Sequence, residues 1–282
     1  MALAPHETTS RTEATHCHRC GAYGSLAEDS MQLTDLTWPK VQALSKDTPV
    51  VIPIAALEQH GHHLPLFTDS LLLGEIVRRV AEKFHERILF APLTWLGNSD
   101  HHLDFAGTLS APPRVYIDLL NGLAENFIQH GFKRIVFLNG HGGNDVPGRQ
   151  AIFEVRQRHR RRSDLLLLCA TYWNLASDAH SRVPGLVQSH MAHACEWETS
   201  MILRLAPHLV GDFAQLPAVP AGNAFDPAAR GWITNDRTVP GHLGDPGAAT
   251  PEKGEALFQA FTSGAVTLLE RMLAWDGKSW NS

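Results

Sequence analysis

Four short apolar runs set the strongest limit on how this chain can fold: residues 50–56, 88–93, 135–138 and 165–171. Each is four to seven residues long and several are β-branched, which suits strands buried on both faces of a parallel sheet. Between them the apolar positions recur at helical spacing. Leu72, Ile76, Val77, Val80 and Phe84 form one such stripe, and Tyr116, Leu119, Leu120, Leu123 and Phe127 another, behind Pro112 and Pro113. A third helix is expected over about 146–162. A last one is expected over 251–275, with Thr250 as N-cap and Pro251 at its first position. Strands alternating with helices at this spacing make βαβ units, hence an α/β fold whose parallel sheet is covered by helices on both sides.

With 282 residues, 44% of them hydrophobic, the chain can bury one core of the size such a domain needs. Residues 1–30 show no apolar periodicity and are expected to be a flexible extension, leaving 31–282 as the folded domain. Cys17 and Cys20 form a CxxC in that extension, but no second Cys pair follows to complete a zinc knuckle. Residues 207–250 are rich in Pro, Gly, Ala and Asn and are expected to form a long ordered loop region.

The charge balance narrows the partners. A net charge of −5 gives no global field for nucleic acid or an acidic membrane. The arginines from Arg156 to Arg162 fall at an expected helix C-terminus, where cations complement the dipole. No apolar run approaches the roughly 20 residues of a bilayer span, and the N-terminus lacks the apolar core of a secretory signal. Four cysteines do not suggest a disulfide framework, so a reducing cytoplasm is the expectation.

The chemistry sits at the strand ends. The first run leads into Glu58, Gln59, His60 and then Asp69. The second leads to Asp100, His101 and His102, and the third to Asn139-Gly140-His141-Gly142-Gly143-Asn144. The fourth ends at Tyr172-Trp173-Asn174, and a further cluster follows at His190, His193, Glu196 and Glu198. Ligands of open α/β sheets bind outside the carboxyl ends of the strands. Imidazoles and carboxylates meeting on that rim are what a metal site requires, and two ions sharing a carboxylate need about five or six such groups. Two plainer readings compete with this. The glycine-rich segment at 139–144 could be a tight turn only, or a backbone cradle for an anion in a non-catalytic nucleotide-binding or small-molecule-binding protein. The carboxylates argue against the cradle, because they repel an anion.

Three motifs together resemble the creatininase (creatinine amidohydrolase) family: Glu58-Gln59-His60-Gly61-x-His63-Leu64-Pro65-Leu66-x-Thr68-Asp69, Asn139-Gly140-His141-Gly142-Gly143-Asn144, and His193-Ala194-x-Glu196-x-Glu198-Thr199-Ser200. The segments Gly244-Asp245-Pro246 and 249–254 are similar to that family's C-terminal pattern. The resemblance implies a three-layer α/β/α sandwich and a hexamer. It also implies two divalent metal ions (Zn, Mn or Fe) that assist hydrolysis of a non-peptide C–N bond, in a cyclic amide or formamide. By the same resemblance Glu58 and His141 would hold one metal, His60 the other, and Asp69 would bridge. His193 and Glu198 would serve catalysis, and Trp173 would close over the substrate; His102, in the cluster after the second run, is expected from its position alone to be a pocket group. Other activities of the family act on a keto-cyclitol or a peptide-derived substrate. Creatininase itself carries Tyr and a metal-binding Glu where this chain has Gly142 and Gly143. Glu196 is therefore expected to replace that ligand, with Glu198 left to move a proton.

Overall fold

A computed structural model describes residues 30–281. The expectations for the 1–30 extension and for Cys17 and Cys20 lie outside the described residues, apart from Ser30 itself.

The strands are β1 (Val50–Ile54), β2 (Leu89–Phe90), β3 (Arg134–Asn139) and β4 (Leu166–Thr171). They form one parallel sheet in the order β2-β1-β3-β4. The helices are α1 (Trp38–Ala43), α2 (Thr68–Phe84), α3 (Pro113–Gln129), α4 (Asp145–Arg158), α5 (Ala179–Arg182), α6 (Glu196–Leu205) and α7 (Pro251–Ala274). Successive side chains of a strand face opposite ways, and each face has its own core. Val50, Ile52, Ile54, Ile135 and Phe137 pack with Tyr116, Leu120 and Phe127 of α3 and with Ala151 and Val155 of α4. Val51, Val136 and Leu138 pack with Leu72, Ile76 and Val80 of α2, Met201 of α6, and Phe258 and Phe261 of α7. The expected three layers are therefore present.

Two strands stop short of the C-terminal ends of their apolar runs. The second run, 88–93, keeps only Leu89 and Phe90 in the ladder, because Pro92 has no N–H to donate. The chain returns once, where Thr94 N donates to Pro53 O at 2.9 Å. Likewise β1 ends at Ile54 rather than 56. The third helix stops at Arg158 instead of running to 162. Arg158 reaches Glu125 at 2.9 Å and Arg162 reaches Asp164 at 2.7 Å, so both side chains are held by nearby acids. Thr250 caps α7 as expected, its side chain accepting from Lys253 N. Among the described residues, no helix is long and apolar enough to cross a membrane.

The register does most to build the site. Ile54 lies opposite Asn139, and Asn139 opposite Thr171. Three strands thus end abreast, and the loops that leave them start from one line.

Candidate metal and active site

Each loop is folded by side-chain amides into the position its ligands need. Asn139 Oδ1 accepts from His141 N at 3.0 Å, while its Nδ2 donates to His141 O at 2.7 Å and to Thr171 Oγ1 at 3.0 Å. Asn144 donates to Ala55 O and accepts from Asn98 N, joining the loops after β1, β2 and β3. Gly97 sits where a Cβ would come within 2.5 Å of Ala55 O, so only glycine allows this approach. Asp69 enters from the first turn of α2, and Glu198 from the first turn of α6.

Three carboxylates and two imidazoles meet at the rim, all nearly inaccessible to solvent. His60 Nε2 lies 3.1 Å from Asp69 Oδ1 and 3.8 Å from Glu198 Oε1. His141 Nδ1 lies 3.0 Å from Asp69 Oδ2 and 3.3 Å from Glu58 Oε1. The opposite nitrogen of each ring faces a backbone carbonyl, which can only accept. His60 Nδ1–H donates to Glu58 O at 3.2 Å, and His141 Nε2–H donates to Asn98 O at 3.0 Å. That fixes the tautomers and leaves each ring's lone pair aimed at carboxylate oxygens, an arrangement that calls for a proton or a cation between them. Glu58 Oε2 and Asp69 Oδ2 are buried without a well-aligned hydrogen bond. Ligand atoms of Glu58, His60 and Asp69 lie within 4.8 Å of one another, as do those of His60, His193 and Glu198. The donor set fits divalent cations.

The electrostatics follow from burial and from these neighbours. Burial would raise the Glu58 carboxyl, but His141 and His102 beside it outweigh that and hold it well below its ordinary value. Burial would lower His60 and His141, yet Asp69 beside the first and Glu58 and Asp69 beside the second raise both well above an ordinary histidine. Glu198 is raised, by burial first and with a contribution from Asp69. His193 is held well below its usual value by burial and by His60 and His102, whose rings lie 4.4 Å from its own. Burial, then His102, pushes His101 down to about 4.

The cluster opens into a cavity of about 620 Å³ whose lining includes His102, His193 and Trp173. Of the expected site residues, the structure brings together Glu58, His60, Asp69, His141, His102, His193, Glu198 and Trp173. It separates Glu196 from them, and this corrects the assignment of that residue as a metal ligand. Its carboxylate turns to the other side of α6, where Lys253 Nζ lies at 2.7 Å and Val187 N and Gln188 N donate to it. Glu198 takes the place at the rim instead. His190 and His193 precede α6, which begins at Glu196. The Gly143 position cannot hold a ligand either. A Cβ there would lie 2.1 Å from Asn98 O and 2.4 Å from His141 Nε2.

Sequence reasoning missed Gln59, which ties the site together. Its Oε1 accepts from Gly61 N, and its Nε2 lies 2.9 Å from His102 Nδ1 and from Gly241 O. It also missed the outer wall, formed by Arg230, Trp232, Thr234, Arg237 and Thr238 from a segment with no periodicity to mark it.

A family model described as "Creatininase: Creatinine amidohydrolase" matches residues 34–269. A mycofactocin precursor peptide peptidase of Mycobacterium ulcerans is 28% identical, over 92% of this chain and 95% of that protein. A creatinine amidohydrolase of Pseudomonas putida is 27% identical, over 83% of this chain and 94% of that one. A crystal structure of creatinine amidohydrolase superposes with a TM-score of 0.74 at 27% identity, covering 86% of this chain and 97% of that chain. Further creatininase structures, described as a Zn-Zn type and as creatininase Mn, superpose at 0.72 and 0.74, each with 27% identity and covering 86% of this chain and 98% of theirs.

Proposed function

The chain belongs to the creatininase family, and from that premise we propose a metal-dependent amidohydrolase that cleaves a C–N bond of a small molecule other than creatinine. One observation carries the reading. Three buried carboxylates share a rim with two imidazoles whose ring nitrogens point at them, and two carboxylate oxygens there lack a well-aligned hydrogen bond. Glu58 and His141 would hold one cation, His60 and Glu198 the other, and Asp69 both. Divalent cations in such a site acidify water and polarise an amide carbonyl.

The chain's own groups supply the rest. His193 Nε2 lies 2.8 Å from both the backbone O and the side-chain Nε2 of Gln59, and its Nδ1 lies 3.7 Å from Glu58 Oε1. Held neutral, it can accept a proton from the attacking water and return it to the leaving nitrogen. Trp173, edge-on to Tyr172 at 4.9 Å, closes one side of the cavity over the substrate, and His102 another. Gly142 and Gly143 leave no side chain on the third loop. The space beside His141 is taken by His101, whose ring stacks on it at 5.8 Å. The relatives carry both amidohydrolase and peptidase names, so the proposal stops at the amide C–N bond.

A cytoplasmic homo-oligomer, a hexamer as in the family, belongs to the same proposal. Val115 on α3 and Val146 and Phe153 on α4 are large apolar side chains left exposed, the kind of surface another copy covers. Light scattering on the purified protein tests the assembly. For the activity, metal content should be two equivalents in the wild type and lower in Glu58→Gln and Asp69→Asn. A screen of lactams, formamides and short peptides with free termini should find hydrolysis that the same variants lose. Purified protein that binds no divalent cation under any loading condition would overturn the reading.

A further inference from the structure

We propose that Arg237, in the outer wall of the cavity beside Trp232 and Thr238, binds an oxyanion of the substrate, so that the molecule cleaved here is an amide bearing a carboxylate or phosphate group. The inference rests on reading the cavity as an amidohydrolase site and names the substrate class that site takes.

The wall is held in place by the site itself. Thr234 Oγ1 lies 2.6 Å from both His101 O and His102 Nδ1, and Gly241 O accepts from Gln59 Nε2 at 2.9 Å. Arg237 lies between these anchors. Its guanidinium sits 4.6 Å from the centre of the Trp232 ring, and its Nη2 donates to Ala221 O at 2.8 Å. Arg79, Arg158 and Arg204 each reach a carboxylate at less than 3 Å. Among the described residues, none lies within ion-pair reach of Arg237. A guanidinium has five N–H groups in a planar fork, so Arg237 keeps donors to spare. It is half-buried, and burial holds it somewhat below its ordinary value.

A second observation lies beside it. Thr238, only 5% exposed and also lining the cavity, has a hydroxyl without any partner. Unpaired buried donors are costly unless something completes them. A planar fork and a free hydroxyl lining the same cavity suit a carboxylate or phosphate. Arg230 adds a second, exposed cation at the mouth.

The position fixes the shape of the molecule. His141 stacks on His101 at 5.8 Å, His101 meets Trp232 edge-on at 4.8 Å, and Arg237 covers Trp232. Arg237 is thus separated from the carboxylate rim by this stack of rings. A substrate with its amide at the rim and its acid at Arg237 keeps the two groups apart, and a cavity of about 620 Å³ is of the size that holds a small molecule.

The test uses the full chain loaded with zinc, its metal content measured, and titrated with glutarate, orthophosphate and neutral glutaramide. Tryptophan emission and calorimetry follow binding. At least one anion should bind saturably, and glutaramide at least tenfold more weakly. Arg237→Gln should weaken the anion at least tenfold with zinc content unchanged, Thr238→Val should weaken it several-fold, and Arg237→Lys should fall between wild type and Arg237→Gln. Binding of glutarate alone assigns a carboxylate, and binding of phosphate alone a phosphoryl group. Absence of saturable anion binding, equal affinity for glutarate and glutaramide, or full affinity in Arg237→Gln overturns the proposal. Anion binding through Arg237 in a protein that takes up no zinc would instead overturn the amidohydrolase reading alone.

Discussion

Glu196 and Glu198 stand two residues apart at the start of α6, and their carboxylates serve opposite sides of the helix. Glu196 Oε1 lies 2.7 Å from Lys253 Nζ in the packing against α7, whereas Glu198 Oε1 lies 3.8 Å from His60 Nε2 at the rim. Side chains two positions apart on a helix point about 200° apart, so only one of the pair can reach the metal candidates. Glu196→Gln should therefore cost about 3 kcal/mol of stability, by leaving a buried ammonium without its anion, while metal content stays at the wild-type level. Glu198→Gln should lose a metal equivalent and, compared without metal, keep the wild-type melting temperature. Thermal denaturation paired with metal analysis separates the two outcomes.

Gly143 and Gly142 provide a matched pair. A Cβ at Gly143 would collide with Asn98 O and with the His141 Nε2 that donates to it, whereas a Cβ at Gly142 meets nothing within 4 Å. Gly143→Ala must break or bend the hydrogen bond that orients His141. Loss of such a bond typically costs 10–100-fold in metal affinity. Gly142→Ala should bind metal like the wild type. Competition with a fluorescent chelator measures both, and equal affinities in the two variants would contradict the assigned role of the His141–Asn98 contact.

Protons and cations should compete at this site. Asp69 and Glu58 raise His60 and His141 well above the ordinary 6.5. In the metal-free protein their protonation stabilises the fold fully below about pH 6.5 and ceases to do so as pH rises through the raised values. Ligation needs those protons gone, so cation binding near neutral pH should release about two protons. The metal-free protein should lose stability on going from pH 6.5 into the alkaline range while the loaded protein, whose ligated histidines carry no proton to lose, holds its stability. Calorimetry in buffers of different ionisation enthalpy counts the protons, and melting curves at several pH values test the falling slope against the flat one. Parallel slopes would be inconsistent with ligation by these two histidines.

Much of this arrangement is legible in the sequence because it is local. Apolar runs mark the strands, Glu58, His60 and His141 stand within a few residues of their ends, and Asp69 opens the helix that follows β1. The register aligning Ile54, Asn139 and Thr171 then brings them together. What escaped depends on distant partners. The choice between Glu196 and Glu198 turns on the phase of a helix that begins at Glu196 itself. That phase is set by Ala194, whose φ is 48°, and by Lys253 far along the chain. The Arg237 wall has no periodicity, and its placement depends on Gln59 and on the His101–His102 turn. The second strand is cut short by Pro92, a breaker inside an otherwise continuous run.

The last expectation concerns His193, which sits in the cavity wall between the rings of His60 and His102. Its Nε2 is held against Gln59, and burial with its two histidine neighbours keeps the ring neutral well below pH 6.5. A group of this kind favours the folded state above the unfolded value of about 6.5, and the advantage is lost as pH falls toward the lowered folded value. His193→Asn should therefore show a shallower loss of stability between pH 6.5 and 5 than the wild type. If the ring transfers the proton during hydrolysis, the same variant should lower kcat by about 10²–10⁴, with metal content intact and KM changed much less. Were His193 instead a metal ligand, the variant would lose metal along with activity. Were it only a wall of the cavity, KM would rise and kcat would hold. Metal stoichiometry, the split between kcat and KM, and the pH dependence of melting together distinguish the three roles on one variant.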